Sequence, residues 1–308
     1  HADIAMYSAK SGGKHRYEIF LPSMLDLLVT RHDTKQALTR AIADGDLVVH
    51  YQPIVDVADG QVRGVEALVR WQRPGHGMVP PMEFLTLAEE FGLIPDIDLF
   101  VLRQACEQVQ EWNSHRAPDA QYCVHVNMSA VTLAHPEIVS QVAAALRASG
   151  LPAQQLTVEL TESTLMADPN AVIARMHALR QTGVRLAIDD FGTGYSSLAY
   201  LRDLPVDTVK VDKSFVDGIV AEEIDRELVK TIISLAGRLG LDIVAEGVEG
   251  REQAALLSAL GCGRMQGHLF AQPISPDQLE AAVVRVGQDA RWLGQAALSA
   301  AAMVPPPR

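Results

Sequence analysis

The chain has 308 residues, of which 48% are hydrophobic and 21% are charged, and its formal net charge is -12. This hydrophobic content supports one barrel-sized core or two ordinary domains and excludes a largely disordered chain. The negative charge disfavours a polyanion such as DNA as the partner, so a phosphorylated ligand would need a local positive feature.

The three cysteines, Cys106, Cys123 and Cys262, lie far apart in apolar surroundings. This pattern predicts small core residues rather than a disulfide framework or a CxxC metal site, and it favours a reducing cytoplasm. We find no apolar run of membrane-spanning length and no signal peptide. We therefore expect a cytoplasmic location, which is compatible with a membrane anchor outside these residues.

Two segments precede the main pattern. Residues 2–20 are typical of a short helix and a strand separated by Gly12-Gly13. Residues 25–46 carry apolar side chains at helical spacing, closed by Gly45, which predicts a connecting helix. At the other end, the pattern after about Val284 becomes Ala-rich and then Pro-rich, which predicts a tail that is helical at first and then frayed.

The central part of the chain alternates short β-rich runs with longer helical patterns, which predicts βα units and a parallel sheet. Helices are predicted at residues 97–112, 136–149, 171–182, 226–239 and 253–260. Strands are predicted at residues 48–55, 62–71, 122–128, 156–160, 185–189, 208–211, 242–245 and 264–270. The short turn at Asp59-Gly60 favours a hairpin between the first two strands. The predicted fold is therefore α/β, a modified TIM (βα)8 barrel with one antiparallel strand.

Several predicted strands end on an acidic or amide side chain: Glu66, Asn127, Glu159, Asp189, Asp190 and Glu246. Because strand ends of a barrel converge on one face, we expect these side chains to share one cavity. Carboxylates at close range raise one another's pKa unless a cation compensates them, and an all-oxygen set favours Mg2+ or Mn2+. The adjacent pair Asp189 and Asp190 suits two metal ions, which indicates phosphoryl or phosphodiester hydrolysis.

Each of these residues also has a purely structural interpretation. An acid at a strand end is more often a helix N-cap or a loop ion pair, and a glycine-rich loop such as residues 191–194 usually forms a turn without a ligand. Lys210 lies in a short apolar run and needs a partner if it is buried; the alternative is an edge strand facing water. His50, His125 and His268 are expected to be hydrogen-bonded residues of the core or rim.

At these residues the sequence resembles the EAL-domain family, bacterial phosphodiesterases acting on the second messenger cyclic di-GMP. The resemblance covers roughly residues 38–279. The matching motifs follow in family order: EALVR from Glu66, VNMS around Asn127, ELTES from Glu159, DDFGTG from Asp189, VKVD around Lys210, AEGVE around Glu246 and QG at Gln266. So many motifs in one order are far more specific than a lone tripeptide.

The resemblance implies a role for each matching residue and two Mg2+ or Mn2+ ions per active site. The first metal ion would be bound by Glu66, Asn127, Glu159 and Asp189, and the second by Asp189, Asp190 and Glu246. The catalytic group would comprise Lys210, Gln266, Glu246 and Glu162. Lys210 and Gln266 would position the attacking water, and Glu162 would support the loop after Asp190. The residues assigned to the substrate are Gln52, Arg70 and Asp212. The implied product is the linear dinucleotide pGpG.

The N-terminal segment resembles the last helix and strand of a GGDEF diguanylate cyclase domain, through residues 2–10, Gly13 and Arg16-Tyr17. A dedicated helical lid is the alternative. The expected division is a GGDEF-like remnant at 1–24, a connecting helix at 25–46, the EAL barrel at 47–285 and a tail at 286–308. Expected partners are cyclic di-GMP, a second copy in a homodimer and an upstream GGDEF-like domain, with no nucleic-acid polymer.

Two other functions compete with hydrolysis of cyclic di-GMP. EAL-like domains can act as non-catalytic cyclic di-GMP receptors, typically after losing a metal ligand, whereas all the ligands are present in this sequence. A metal-dependent lyase or phosphatase for a small metabolite is a third alternative, which Arg70 disfavours. His268 stands where many family members carry tyrosine, so we expect a slightly altered guanine pocket. Metal-dependent turnover and a substrate panel distinguish these alternatives.

Overall fold

The computed structural model describes residues 22–167, 169–193 and 198–290. The helix and strand predicted within residues 2–20, and the tail beyond residue 290, lie outside these ranges. The chain divides into two compact units, one formed by residues 1–48 and 70–96 and the other by residues 49–69 and 97–308. None of the described helices is long and apolar enough to cross a membrane.

The smaller unit contains helix α1 (Pro22–Asp44), strand β3 (Gly77–Val79) and helix α2 (Pro81–Glu90). Helix α1 ends at Gly45, whose φ of 82° is the left-handed conformation that favours glycine at a helix end. This confirms a helix in this segment, with an earlier start and end than predicted, and its role as a connection between domains stays a prediction. In the core of this unit, Trp71 and Phe84 pack edge to face with ring centroids 5.8 Å apart.

The larger unit contains most of a closed ring of strands; residues 47–48 of the first strand and 70–73 of the second belong to the smaller unit. The strands are β1 (Leu47–Asp56), β2 (Val62–Arg73), β4 (Cys123–Asn127), β5 (Leu156–Thr161), β6 (Arg185–Phe191), β7 (Thr208–Val211), β8 (Asp242–Ala245) and β9 (Arg264–Met265). Their order is β1-β9-β8-β7-β6-β5-β4-β2, and pairing of β1 with β2 closes the ring. Strands β2 and β4 to β9 run parallel, whereas β1 is antiparallel to β9. The predicted barrel with one antiparallel strand is thereby confirmed.

Helices follow the strands along the chain. They are α3 (Ile94–Asn113), α4 (Ala130–Ala134), α5 (Ile138–Ser149), α6 (Glu162–Ala167), α7 (Pro169–Arg180), α8 (Leu198–Asp203), α9 (Lys213–Gly218), α10 (Glu223–Leu239), α11 (Arg251–Ala259) and α12 (Leu279–Asp289). Helix α10 buries Val229, Ile233 and Ala236, which share one helical face, and ends at Gly240 in the left-handed conformation. Each of the five predicted outer helices matches an observed one within three residues at either end. Helix α12 accounts for the helical start of the tail.

Two strands differ from the prediction. The short strand β3, antiparallel to β2, was not predicted. Strand β9 was predicted over residues 264–270 but ends at Met265, and Phe270 N then donates to Gly267 O at 3.1 Å in a turn. A Cβ at position 267 would lie 2.2 Å from Val248 O, so only glycine permits this close approach. The turn leaves Gln266 directly at the strand end.

Candidate active site

The site is centred on Lys210, which is fully buried in the four-residue strand β7. Its Nζ lies 2.6 Å from Glu246 Oε1, 2.7 Å from Glu159 Oε2, 3.3 Å from Asp189 Oδ1 and 3.4 Å from Glu66 Oε2. Each carboxylate comes from a different strand or the residue directly after one. The structure therefore brings these predicted residues into one cluster, and the interpretation of Lys210 as part of a water-facing edge strand is wrong.

Three amide side chains line the same cluster. Asn127 Nδ2 donates to Glu66 Oε1 at 2.7 Å, and Gln266 Nε2 donates to Glu66 Oε2 at 2.6 Å. Gln266 Nε2 also lies 2.8 Å from Gln52 Oε1, and Gln52 Nε2 donates to Ala271 O. Gln266 Oε1 is buried and accepts no hydrogen bond within the described part of the chain. The roles predicted for Gln52 and Gln266 toward substrate and water stay predictions.

His125 is a buried, hydrogen-bonded histidine, as the sequence predicts, and its partner is a member of this cluster. It is buried on β4, and its Nδ1 lies 2.7 Å from Glu159 Oε1. Burial, followed by the charge of Lys210, lowers the pKa of His125 to about 3. The sequence indicated that His125 faces the site, because alternation along a strand places it on the same face as Asn127.

The last part of β6 carries two adjacent aspartates whose side chains take different positions. Asp190 has a φ of 54°, an uncommon left-handed conformation for a residue other than glycine, and its backbone N donates to Asp189 Oδ1 at 3.0 Å. The buried Glu162 accepts a hydrogen bond from Gly192 N at 3.0 Å through Oε2. Ligand oxygens of Asp189, Asp190 and Glu246 lie within 4.8 Å of one another.

Asp212 and Arg70 are the remaining residues that were predicted to bind the substrate. Asp212 is the N-cap of α9, where its Oδ1 accepts a hydrogen bond from Ser214 N at 3.0 Å. Arg70 lies four residues after Glu66 on β2, in the smaller unit. The substrate-binding roles of Asp212 and Arg70 stay predictions.

His50 and His268 are the other two histidines that were predicted for the core or rim. His50 Nδ1 lies 3.4 Å from Pro273 O, in agreement with a hydrogen-bonded rim residue. His268 is exposed and lies in the turn after β9, not in a strand. The expected effect of His268 on a guanine pocket stays a prediction.

Asp190 adds a fifth carboxylate to the four that contact Lys210, so the cluster carries a surplus of negative charge beside one ammonium group. Burial raises the pKa of Glu159 and Glu246 well above its usual range, with neighbouring carboxylates adding to the shift. Burial, together with Asp189, raises the pKa of Asp190 to about 6. Burial alone would lower the pKa of Lys210, but the surrounding carboxylates hold it well above its usual range.

The donor set fits a hard divalent cation. Carboxylate and amide oxygens are the ligands that Mg2+ and Mn2+ prefer, and a bound cation would compensate the surplus charge. Fold and site together therefore define an α/β-barrel protein with an acidic centre at the strand ends, where barrel enzymes hold their active sites.

The chain belongs to the EAL domain family, whose profile matches residues 35–273. It is 42% identical over 287 residues to the bifunctional diguanylate cyclase/cyclic di-GMP phosphodiesterase MucR of Pseudomonas aeruginosa, covering 92% of this chain and 41% of MucR. It is 41% identical over 280 residues to the cyclic di-GMP phosphodiesterase NbdA of the same species, covering 91% of this chain and 36% of NbdA. The chain thus spans less than half the length of these curated relatives.

A solved structure of the PaMucR phosphodiesterase in complex with c-di-GMP has a similar fold. Its TM-score to this chain is 0.75 at 43% sequence identity, and the match covers 80% of this chain and 98% of that one.

Proposed function

We propose that this chain is the catalytic domain of a metal-dependent phosphodiesterase that hydrolyses cyclic di-GMP to linear pGpG. The observation that carries the proposal is the cluster of buried carboxylates around Lys210 at the strand ends of the barrel. Family membership supports the choice of substrate, because MucR and NbdA are named as cyclic di-GMP phosphodiesterases.

Two divalent cations, Mg2+ or Mn2+, are proposed to bind in this cluster. The first set of ligands is Glu66, Asn127, Glu159 and Asp189, and the second is Asp189, Asp190 and Glu246. Proximity supports the second set, whose ligand oxygens already lie within 4.8 Å of one another. When bound, such ions lower the pKa of a water molecule and stabilise negative charge on the phosphate oxygens.

The protein groups around these ligands have separate tasks. Lys210 is an ammonium that donates hydrogen bonds, so it orients the attacking water and stabilises developing negative charge. Gln266 positions the same water through its unpaired carbonyl oxygen. Glu162 holds the loop after Asp190 through Gly192 N, and thereby keeps the two aspartates in place.

The proposed reaction balances with water as the only co-reactant. The water oxygen forms a bond to one phosphorus atom while the bond from phosphorus to the ribose 3′ oxygen breaks. The departing 3′ oxygen takes a proton, and the phosphate stays on the 5′ carbon of the linear dinucleotide. Arg70, Gln52 and Asp212 are proposed to bind the substrate.

Replacement of Asp189 tests the site directly, because this residue is common to both proposed sets of ligands. We expect Asp189→Asn to reduce hydrolysis of cyclic di-GMP by at least about 100-fold, measured by chromatographic separation of the linear product. The matched control is Asp277→Asn, an equivalent change at an exposed position, which leaves turnover unchanged. Full activity of the Asp189 variant would contradict the proposed site. A wild-type chain that binds cyclic di-GMP without releasing product would instead be a receptor.

The wider assembly is also part of the proposal. We propose the domain division at residues 24, 46 and 285, with a GGDEF-like domain upstream, a homodimer and a cytoplasmic location. The resemblance of residues 2–17 to the end of a cyclase domain, and the cyclase named in the relative MucR, support the upstream domain. Light scattering coupled to size exclusion tests the dimer, since a monomeric mass at all concentrations would contradict it.

A further inference from the structure

We propose that His125 is a positioning residue for the metal site, donating its Nδ1 hydrogen to Glu159 Oε1 and so fixing the orientation of this carboxylate toward a bound cation. The inference rests on the proposed function, because it assigns a task to a side chain in contact with a proposed metal ligand. In this role His125 acts only through Glu159 and does not contact the substrate.

Strand register brings the two residues together. Parallel β4 and β5 pair Asn127 with Glu159 and His125 with Thr157. His125 therefore lies two residues before the Glu159 register position, on the same face of the sheet as Asn127. The imidazole is 3% exposed, and its Nδ1 lies 2.7 Å from Glu159 Oε1, so the contact is direct and shielded from water.

Glu159 is held through both of its carboxylate oxygens. Oε1 contacts His125, and Oε2 accepts a hydrogen bond from Lys210 Nζ at 2.7 Å. Each carboxylate oxygen has two lone pairs, so each keeps one for a further partner after these contacts. Two partners in different directions fix the rotation of the carboxylate group, which neither partner would fix alone.

Cation binding would assign the hydrogen of this contact. A carboxylate that binds a cation carries no proton, so with a cation on Glu159 the shared hydrogen resides on His125 Nδ1. A neutral imidazole can donate this hydrogen bond without adding a positive charge that would oppose a bound cation, whereas Lys210 adds one. Hydrogen-bond partners of metal-binding side chains fix their orientation, and their loss typically weakens metal binding by about 10–100-fold.

Three substitutions at this position separate the Nδ1 hydrogen bond from side-chain volume. The amide nitrogen of asparagine approximates the position of Nδ1, that of glutamine approximates Nε2, and leucine has neither donor. We expect His125→Leu to weaken Mn2+ binding by about 10–100-fold, and His125→Asn to restore most of the loss. His125→Gln should restore little of it, because its amide nitrogen lies too far along the side chain.

Mn2+ binding is measured directly by calorimetry on the chelator-treated full chain, and the Mn2+ concentration that gives half-maximal turnover is compared with it. The melting temperature in chelator reports the stability of each variant. If His125 had a purely structural role, its replacement would lower the melting temperature without changing the Mn2+ affinity of the folded protein. Glutamine that restores Mn2+ affinity as well as asparagine would overturn the inference. Wild-type affinity in the leucine variant would do the same.

The same titration separates this inference from the function on which it rests. A wild-type chain that binds no Mn2+ overturns the proposed function and, with it, the role of His125. A wild-type chain that binds Mn2+ and hydrolyses cyclic di-GMP, together with three His125 variants of unchanged affinity, overturns the inference alone.

Discussion

Lys210 is a fully buried charged residue whose environment compensates its charge. Its ammonium is fully buried among four carboxylates. We expect Lys210→Ala to lower turnover by about 10²–10³-fold, because a donor to the developing charge is lost. Removing one partner of a buried ion pair costs about 3–5 kcal/mol, so the melting temperature in chelator should also fall.

Lys213→Ala is the matched control for this prediction. Lys213 pairs with Glu249 at 2.5 Å, but the two side chains are 48% and 49% exposed. Exposed pairs contribute about 0–1 kcal/mol, so this substitution should leave both melting temperature and turnover nearly unchanged. Equal effects of the two substitutions, in calorimetry and in the turnover assay, would contradict the role assigned to Lys210.

The buried thiols give a second prediction at the scale of single residues. Burial raises the pKa of Cys106 and Cys262 to about 12 from a usual value of 9.0, and Cys123 is shifted in the same direction by burial. Because the thiolate is the reactive form, roughly one thiol in 10⁴ is reactive at pH 8 at a pKa of about 12. We expect Cys106 and Cys262 to resist a disulfide reagent in the native protein and all three cysteines to react after unfolding.

The direction of the associated pH effect follows from proton binding. Between pH 9 and about pH 12, the folded state keeps a proton on Cys262 that the unfolded state has released. The stability contributed by this difference is therefore fully present below pH 9 and is lost as the pH rises toward 12. Rapid labelling of Cys106 or Cys262 in the native chain at pH 8 would show that these thiols are not buried as described.

At the scale of elements, the turn that follows β6 depends on Gly192. Its φ is 103°, and a Cβ there would lie 2.8 Å from Phe215 Cε2. Its backbone N also donates to Glu162. We expect Gly192→Ala to destabilise the protein by about 1–3 kcal/mol and to lower turnover, because the change displaces the turn directly after the strand end that carries Asp189 and Asp190.

In contrast to Gly192→Ala, we expect Gly237→Ala in helix α10 to stabilise the protein. This glycine is exposed in the helix, its φ is not positive, and a Cβ would meet no atom within 4 Å among the described residues. Alanine favours the helix by about 0.5–1 kcal/mol, so this variant should be slightly more stable than the wild type. Chemical unfolding of both variants checks the pair, and destabilisation by Gly237→Ala would contradict the helical environment described.

The sequence was sufficient to locate the main elements because their patterns are strong. Strands β7 and β8 match their predicted ranges residue for residue. The other strands of the barrel were located from apolar runs that lie next to glycine or proline. Strand β9 was predicted too long because periodicity cannot show that Gly267 is in close contact with the backbone of Val248. Strand β3 has only three residues, too few for a periodic pattern.

The site shows a similar division between what was predictable and what was not. Strand-end carboxylates could be grouped because barrel geometry brings strand ends together. The contact of His125 with Glu159 depends on the register of β4 and β5, and the N-cap hydrogen bond of Asp212 depends on local backbone geometry. Neither contact follows from residue type and spacing alone. The sequence therefore predicted a hydrogen-bonded His125 but not its partner, Glu159.

At the scale of the whole molecule, the two signs of charge are distributed unevenly. The formal net charge is -12, and several carboxylates are concentrated in the barrel around one ammonium. A dinucleotide substrate carries two negative phosphates and would be repelled by this cluster unless cations were bound. Substrate binding and cation binding are therefore expected to depend on each other.

Hydrolysis of cyclic di-GMP by the purified chain, first in chelator and then after addition of excess Mg2+ or Mn2+, tests this account most directly. We expect no linear dinucleotide in chelator and its appearance after either metal ion is added, as resolved by chromatography. Ca2+ serves as a control for charge alone, since its larger and more flexible coordination differs from that of Mg2+. Equal product formation in chelator and in metal would contradict a cation-dependent site around Lys210.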